Sequence, residues 1–122
     1  FRRVLFRSLD ALTARCQKMV VGDGLLETTD MGPVAGPDQF RDISKAIEQA
    51  KADGATMIVG AESVDSSGYF IRPTVFTNVK TSMPVFRDEV FRPVLAVCEF
   101  NSLDEAMVKA IHEQAKKKDF AF

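Results

Sequence analysis

The sequence has few of the residues that build metal centres and disulfide frameworks. Its 122 residues include one histidine, His112, and two cysteines, Cys16 and Cys98, neither of which belongs to a CxxC pair or a Cys/His cluster. This spacing argues against a zinc site, and we predict no metal ligands. Two cysteines make no disulfide framework in a chain of this size, which favours free thiols in a reducing compartment.

Long apolar runs and an excess of one charge are also missing. No apolar stretch approaches the roughly 20 residues that a membrane-spanning helix needs. The 16 basic and 17 acidic residues leave a formal net charge of −1. This balance gives no electrostatic reason to expect a nucleic acid or an anionic membrane as partner.

The sequence contains no complete catalytic motif. It has no GxGxxG or Walker loop, and no serine or cysteine lies in a nucleophile elbow. Cys16 follows a helical spacing with Leu9, Leu12 and Met19, which predicts a core position rather than a nucleophile. His112 is predicted to be a solvated residue of the last helix.

The middle of the chain predicts a helix followed by a strand. Pro37 is a favourable first helical residue, and Gly54 suits the position just after the helix. The run ATMIVG that follows is short, apolar and bounded by glycines, which indicates a buried strand. The buried stripe of the helix is predicted to consist of Phe40, Ile43, Ile47 and Ala50.

The second half predicts two extended segments and a last helix. In SSGYFIRPTVFTNV, Pro73 cannot donate a ladder hydrogen bond, which predicts an edge or irregular strand. VLAVCEF, residues 94–100, has the apolar pattern of a parallel strand covered on both faces. Ser102 and Glu105 form a capping box before the last helix. The alternation of elements predicts an α/β fold.

Five segments, in order, resemble blocks of the aldehyde dehydrogenase superfamily and together cover about residues 9–110. VGDGLLETTDMGPV resembles the block VGdPl…T.mGPl, and IEQAKADGATMIVGA resembles a helix–strand block. GYFIRPTVFTNV resembles GyFi.PTvf..V, DEVFRPVLAV resembles eEiFGPVl.v, and FNSLDEAMVKA resembles a family helix. Each motif is weak alone, whereas five in order at family spacing are specific.

The resemblance implies that residues 9–110 are part of a catalytic domain with a mostly parallel sheet flanked by helices. The parent would oxidise an aldehyde to a carboxylic acid with NAD or NADP, as a cytoplasmic homo-oligomer. The family's nucleophilic cysteine, general-base glutamate and dinucleotide domain lie N-terminal to the matched region. Because neither Cys16 nor Cys98 falls on the nucleophile motif, we assign no catalytic residue and predict that the fragment alone is inactive.

The segment DEVFRPV carries two positions of the family pattern. The resemblance implies that Glu89 binds the ribose hydroxyls beside the nicotinamide and that Phe91 packs against the nicotinamide. A carboxylate can accept two hydroxyl hydrogen bonds, and a fixed cofactor is positioned for hydride transfer. Without the resemblance, Glu89 would be interpreted as an exposed loop acid. The alternative role for Phe91 is packing in the apolar core.

The sequence departs from the family pattern in three places. Arg92 replaces the glycine of FGPV, where a long cation would obstruct the cofactor, and both sequence error and adaptation stay open as causes. Ala61 replaces the second glycine of GG, a milder change. The stretch IHEQAKKKDFAF, within residues 111–122, does not follow the family pattern, which predicts a divergent tail from a frameshift or early truncation near Ile111.

The first eight residues are predicted to be foreign to the protein. Codons of a common sequencing-library adapter spell FRRVLFRS, so residues 1–8 are predicted to be translated adapter.

The competing interpretation of the chain is a stand-alone α/β binding or interaction module that catalyses no reaction. A nucleophile motif upstream of Leu9 would favour the enzyme, and a start codon near Leu9 would favour the module.

Overall fold

The computed structural model describes residues 2–60, 68–88 and 93–119, with the side chains of residues 6–60, 68–88 and 93–111. Four helices and three strands follow one another in this part of the chain. They are α1 (Arg2–Lys18), α2 (Pro37–Ala52), β1 (Thr56–Val59), β2 (Thr74–Thr77), α3 (Pro84–Arg87), β3 (Val94–Ala96) and α4 (Leu103–Asp119).

The three strands form one sheet in the order β1-β2-β3. β1 pairs with β2 antiparallel, with Met57 opposite Phe76. β2 pairs with β3 in parallel, with Thr74 opposite Val94. The α/β class is confirmed. The described sheet is mixed, because parallel pairing joins β2 and β3 while β1 adds an antiparallel strand.

β2 is the central strand, so the prediction of an edge or irregular strand was wrong. Pro73 lies one residue before β2 and therefore removes no hydrogen bond from its ladder. Thr74, Val75 and Phe76 are all buried. A proline just before the first residue of a strand is compatible with a central position in the sheet. The sequence pattern did not show whether Pro73 lies before the strand or inside it.

The face of α1 that was predicted to lie in the core is only half-buried, and the helix begins earlier than residue 9. Leu9, Leu12, Cys16 and Met19 are half-buried. The helix begins at Arg2, so residues 2–8 are helical. The adapter origin of residues 1–8 stays a prediction, because a short translated segment can extend a neighbouring helix.

α2 begins and ends as the sequence predicts. Pro37 is its first residue, and Gly54 follows it with φ +94°. The N–H of Gly54 donates to the carbonyl of Lys51 at 3.1 Å, and the N–H of Ala55 donates to the carbonyl of Ala50 at 3.0 Å. These two bonds form a Schellman motif, which requires the left-handed conformation that glycine adopts without strain.

The core lies between α2 and one face of the sheet. Phe76 is fully buried at its centre, with Ile43 and Ile47 of α2 in the same cluster. Met57 and Ala96, the neighbours of Phe76 on the flanking strands, pack against this cluster. The prediction that β3 is covered on both faces was wrong: Leu95 alternates to the opposite face and is 48% exposed.

The predicted capping box at the start of α4 is present in a modified form. The Ser102 hydroxyl accepts the N–H of Glu105 at 3.1 Å. The Glu105 carboxylate accepts the N–H of Asn101 at 2.8 Å instead of that of Ser102. Lys109 binds the same carboxylate at 2.7 Å and donates to the carbonyl of Glu99 at 2.6 Å. This network ties the first turns of α4 to the chain that leaves β3.

The pair of Glu105 and Lys109 makes stability depend on pH. The hydrogen bond from Lys109 is the main cause that lowers the pKa of Glu105 below 4.5, and the same bond raises the pKa of Lys109 above 10.5. The contribution of Glu105 is therefore complete above pH 4.5 and disappears as the pH falls through the folded-state pKa. The contribution of Lys109 is complete below pH 10.5 and disappears as the pH rises through the folded-state pKa.

We expect Glu105→Gln to lower the melting temperature at pH 7 and to lower it progressively less as the pH falls well below 4.5. The reason is that the wild-type carboxylate loses its own advantage when it is protonated. Thermal unfolding of both proteins across this pH range measures the difference. A melting-temperature difference that stays constant down to strongly acidic pH would contradict the role of the carboxylate charge.

We expect Gly60→Ala to destabilise the fold by about 1–3 kcal/mol. Gly60 has φ +152°, and an added Cβ would lie 2.7 Å from two atoms of the Thr74 side chain. Gly54→Ala isolates the backbone strain, because φ is +94° but nothing lies within 4 Å; Gly24→Ala meets neither obstacle. Denaturant unfolding should rank the losses Gly60 first, Gly54 second and Gly24 last.

Candidate functional site

The two predicted cofactor residues, Glu89 and Phe91, lie outside the described residues, as do Arg92 and Ala61. The structure does describe both neighbours of segment 89–92. Asp88 ends one side, where it follows α3 in an extended conformation and is exposed. Pro93 begins the other side, immediately before β3.

The first neighbour is fixed by the short helix α3. The N–H of Asp88 donates to the carbonyl of Pro84 at 2.7 Å, and the N–H of Arg87 donates to the carbonyl of Met83 at 3.2 Å. Met83 is buried, and Phe86 packs against the core cluster. Asp88 is therefore held to the core by backbone hydrogen bonds and apolar packing.

The second neighbour is fixed by the central strand. The N–H of Thr74 donates to the carbonyl of Pro93 at 2.6 Å. The parallel register then continues through Val94 and ends with the N–H of Val97 donating to the carbonyl of Phe76 at 2.8 Å. Segment 89–92 is thus bounded by two anchors that belong to different elements of one core.

Pro93 lies at one end of the sheet. The carboxyl end of β1 at Gly60, the entrance of β2 at Pro73 and the entrance of β3 at Pro93 meet there, because β1 runs antiparallel and β3 parallel to β2. A groove of about 490 Å³ opens at this end and along β1, lined in part by Cys16 and Arg72. Arg72 is exposed at this end of the sheet.

The opposite end of the sheet carries a smaller cleft of about 260 Å³. Its walls include Lys80, Cys98 and Lys109. The Cys98 thiol donates to the carbonyl of Val79 at 3.2 Å and links the ends of β2 and β3. Both cysteines are free thiols, as predicted.

The described part of the chain holds neither a cluster of metal ligands nor a helix that could span a membrane. Among the side chains of residues 6–60, 68–88 and 93–111, no three of His, Cys, Asp or Glu come together as they do around a metal ion. No helix in those same ranges combines the length and the apolar character that crossing a membrane demands.

Sequence reasoning missed one residue of this region. Thr74 is buried to 1% exposure and holds Pro93 through its backbone, yet it was interpreted only as part of an extended segment. The available signal was a hydroxyl residue directly after Pro73, at the head of the apolar run Val75–Phe76. A polar side chain in such a run needs a buried hydrogen-bond partner.

Comparison with known proteins identifies the family. A family model described as "Aldehyde dehydrogenase family" matches residues 2–114. The chain therefore belongs to the aldehyde dehydrogenase family, and the resemblance seen in the five sequence segments is confirmed.

Three relatives show how far the similarity extends. A betaine aldehyde dehydrogenase of Rhizobium leguminosarum is 39% identical over 105 residues, which is 84% of this chain and 22% of the relative. The peroxisomal aminoaldehyde dehydrogenase 1 of Malus domestica is 43% identical over 101 residues, which is 81% of this chain and 20% of the relative. A solved betaine aldehyde dehydrogenase of Staphylococcus aureus, a point mutant in complex with NAD+, matches with a TM-score of 0.76 and 39% identity, covering 83% of this chain and 21% of its own.

The chain spans about a fifth of the length of the relatives that it matches. The similarity includes the fold as well as the sequence, since the TM-score with the solved dehydrogenase is well above the level of chance resemblance. The described elements therefore correspond to one contiguous part of an aldehyde dehydrogenase.

Proposed function

We propose that this chain is part of an NAD(P)-dependent aldehyde dehydrogenase that oxidises an aldehyde to a carboxylic acid. The observation that supports the proposal is the family match over residues 2–114, which includes the segment with Glu89 and Phe91. One solved relative binds NAD+. Both the oxidation of an aldehyde and the use of a nicotinamide cofactor are inferred for this chain from its relatives.

Glu89 and Phe91 are proposed to hold the nicotinamide end of the cofactor. The donor set suits that group: a carboxylate accepts hydrogen bonds from two ribose hydroxyls, and an aromatic ring restricts the tilt of a planar ring. When bound, NAD(P) supplies the acceptor for the hydride. The backbone hydrogen bonds of Asp88 and Pro93 support the proposal, because they fix the two residues that flank segment 89–92.

The relatives suggest a substrate class as well. The matches include enzymes named for betaine aldehyde and for aminoaldehydes. We propose that the parent oxidises an aldehyde that carries an amino or quaternary ammonium group. We assign no side chain to the binding of that group.

Three further properties of the parent are proposed on the same basis. The parent is a homo-oligomer, the nucleophilic cysteine and general-base glutamate lie outside the 122 residues, and the fragment alone is inactive. Its compartment is proposed to be the cytoplasm, although two relatives from Malus domestica are named as peroxisomal. Residues 9–110 remain the proposed native part, and the origins of residues 1–8 and 111–122 are to be decided on the nucleotide sequence.

Sequencing the parent gene upstream of the codon for Leu9 tests the proposal directly. We expect a cysteine nucleophile motif a short way upstream in the same reading frame, preceded by a glycine-rich dinucleotide domain. The codons for residues 1–8 of this chain decide whether that segment comes from the adapter. An in-frame start codon directly before Leu9 would contradict the proposal and favour a stand-alone module.

A further inference from the structure

We propose that the apolar face of α4 is an interaction surface, covered in the parent by a strand of the same subunit that follows α4 in sequence and extends the sheet beside β3. The α4 face is defined by Leu103, Met107 and Ile111. This inference rests on the proposed function, because that function makes the chain one part of a longer enzyme.

α4 turns its apolar residues to solvent and a charged residue towards the rest of the chain. Leu103, Met107 and Ile111 are 72%, 53% and 61% exposed. The Lys109 side chain is only 24% exposed and donates to the carbonyl of Glu99. Residues two positions apart lie about 200° apart around a helix axis, so Lys109 and Met107 occupy opposite faces. A surface helix has the reverse arrangement, with its apolar stripe towards the core.

The exposed apolar residues of α4 form a patch. Leu103, Met107 and Ile111 follow one another at a spacing of four, which makes them neighbours on the helix surface. Val108 lies next to Met107 and is exposed as well. Single exposed apolar residues are normal, whereas a contiguous patch marks an interaction surface. We therefore expect the α4 face to be covered in the intact protein.

The topology of the sheet indicates what covers it. β3 pairs with β2 in parallel and is the last strand in the order β1-β2-β3 of the described sheet. α4 is the element that follows β3. A helix in this position crosses over to a further parallel strand and packs its apolar face on the sheet. Since β2 occupies one side of β3, the further strand would pair with the other side.

Leu95 shows where the cover of the described sheet ends. It lies opposite Val75 in the parallel register, so both side chains point to the same face of the sheet. Val75 is buried in the central strand, whereas Leu95 is half-exposed in β3. A strand beside β3 would continue the sheet beyond this limit.

The length of the relatives favours the same subunit as the source of this strand. The chain spans 22% of one relative and 20% of another. A solved dehydrogenase shares the described fold with a TM-score of 0.76, and the match covers 21% of it. About four fifths of such a polypeptide therefore lies outside the matched part and can cover the α4 face without a second subunit.

The first test measures thiol accessibility in the full-length parent. Leu103→Cys and Glu48→Cys are a matched pair, because the Glu48 side chain on α2 is 73% exposed but charged. We expect maleimide to modify the thiol of Leu103→Cys at least about tenfold more slowly, since a covered thiol reacts only after local opening. Met107→Cys repeats the measurement if Leu103→Cys does not fold. Equal rates at both sites would overturn the inference.

Photo-crosslinking in the full-length parent identifies the occupant. Photo-methionine, which has nearly the size of methionine, replaces Met107 during expression, and subunits with light and heavy nitrogen isotopes are mixed before irradiation. We expect cross-links from Met107 to a peptide of the same subunit that follows α4. Met83 is the internal control, because it is buried and should cross-link within the core cluster. Cross-links from Met107 that join light and heavy chains, or that reach only segments before Leu9, would contradict the proposal.

Failure of this inference differs from failure of the proposed function. A parent that oxidises an aldehyde with NAD+ or NADP+, but in which Leu103→Cys reacts as fast as Glu48→Cys, overturns only the assignment of the α4 face. A parent that oxidises no aldehyde with either cofactor overturns the proposed function. The labelling and cross-linking results decide the α4 face in both cases, since neither measurement depends on activity.

Discussion

Replacement of Phe76 by alanine is expected to destabilise the fold by about 3–5 kcal/mol, the range measured when a large buried aromatic residue is truncated. Phe76 is fully buried in the central strand and lies between Met57 and Ala96 on the flanking strands. Its ring also packs in the same cluster as Ile43 and Ile47 of α2. Removal of the ring therefore leaves a cavity that three strands and a helix would have to close together.

Urea unfolding followed by circular dichroism measures this loss. Because folded domains are stable by only about 5–15 kcal/mol, we expect a large decrease in the folded population at low denaturant. Leu25→Ala is the matched control, since Leu25 is 92% exposed and its truncation should change stability by less than about 0.5 kcal/mol. Similar losses for the two variants would contradict the assigned core.

Replacement of Glu89 by glutamine in the full-length parent is expected to raise the cofactor KM and lower turnover. Hydrogen bonds to a charged group contribute about 1.5–3 kcal/mol, which corresponds to roughly a tenfold to hundredfold loss in kcat/KM for the cofactor. Glutamine keeps the size of the side chain and loses the charge. Steady-state kinetics with varied cofactor at saturating aldehyde measure the effect.

Asp88→Asn is the matched control for this prediction. Asp88 is the neighbouring acid, is exposed, and has been given no role beyond its backbone bond to Pro84. We expect its cofactor KM to stay within about twofold of the wild type, since exposed changes of this kind have small effects. Unchanged cofactor KM and turnover in Glu89→Gln would show that Glu89 is not the ribose ligand.

Local features of the fold were predictable because they depend on neighbouring residues. The start of α2 at Pro37 and its end before Gly54 follow from the conformations that proline and glycine favour. The Ser102 cap of α4 follows from the hydrogen-bonding needs of a helix terminus. The stripe of Ile43, Ile47 and Ala50 follows from helical periodicity alone.

The arrangement of the strands was less predictable, because pairing joins residues that are distant in the sequence. Pro73 indicated a weak strand, yet β2 became the central one since the proline lies just outside it. Val94–Ala96 indicated a strand covered on both faces, yet Leu95 stays half-exposed at the edge of the described sheet. Hydrophobic periodicity indicates which residues of a strand are apolar, but it does not indicate which other strand pairs with it.

The residues of the candidate site were also only partly predictable from the sequence. Its chemistry was assigned to Glu89 and Phe91 from family motifs, since a carboxylate in a loop has no local pattern that names its ligand. Thr74 was not singled out because its role depends on hydrogen bonds to Arg72, a local partner, and to Pro93, at the entrance of another strand. A buried hydroxyl at a strand entrance is identified as an anchor only when its partners are known.

The most direct test of the proposed function is an assay of the full-length parent with betaine aldehyde and with an aminoaldehyde, each in the presence of NAD+ or NADP+. We expect reduced nicotinamide and carboxylic acid to accumulate in equal amounts with at least one pair of aldehyde and cofactor, and the 122-residue chain alone to produce neither. A folded parent that consumes no aldehyde with either cofactor would contradict the proposed function.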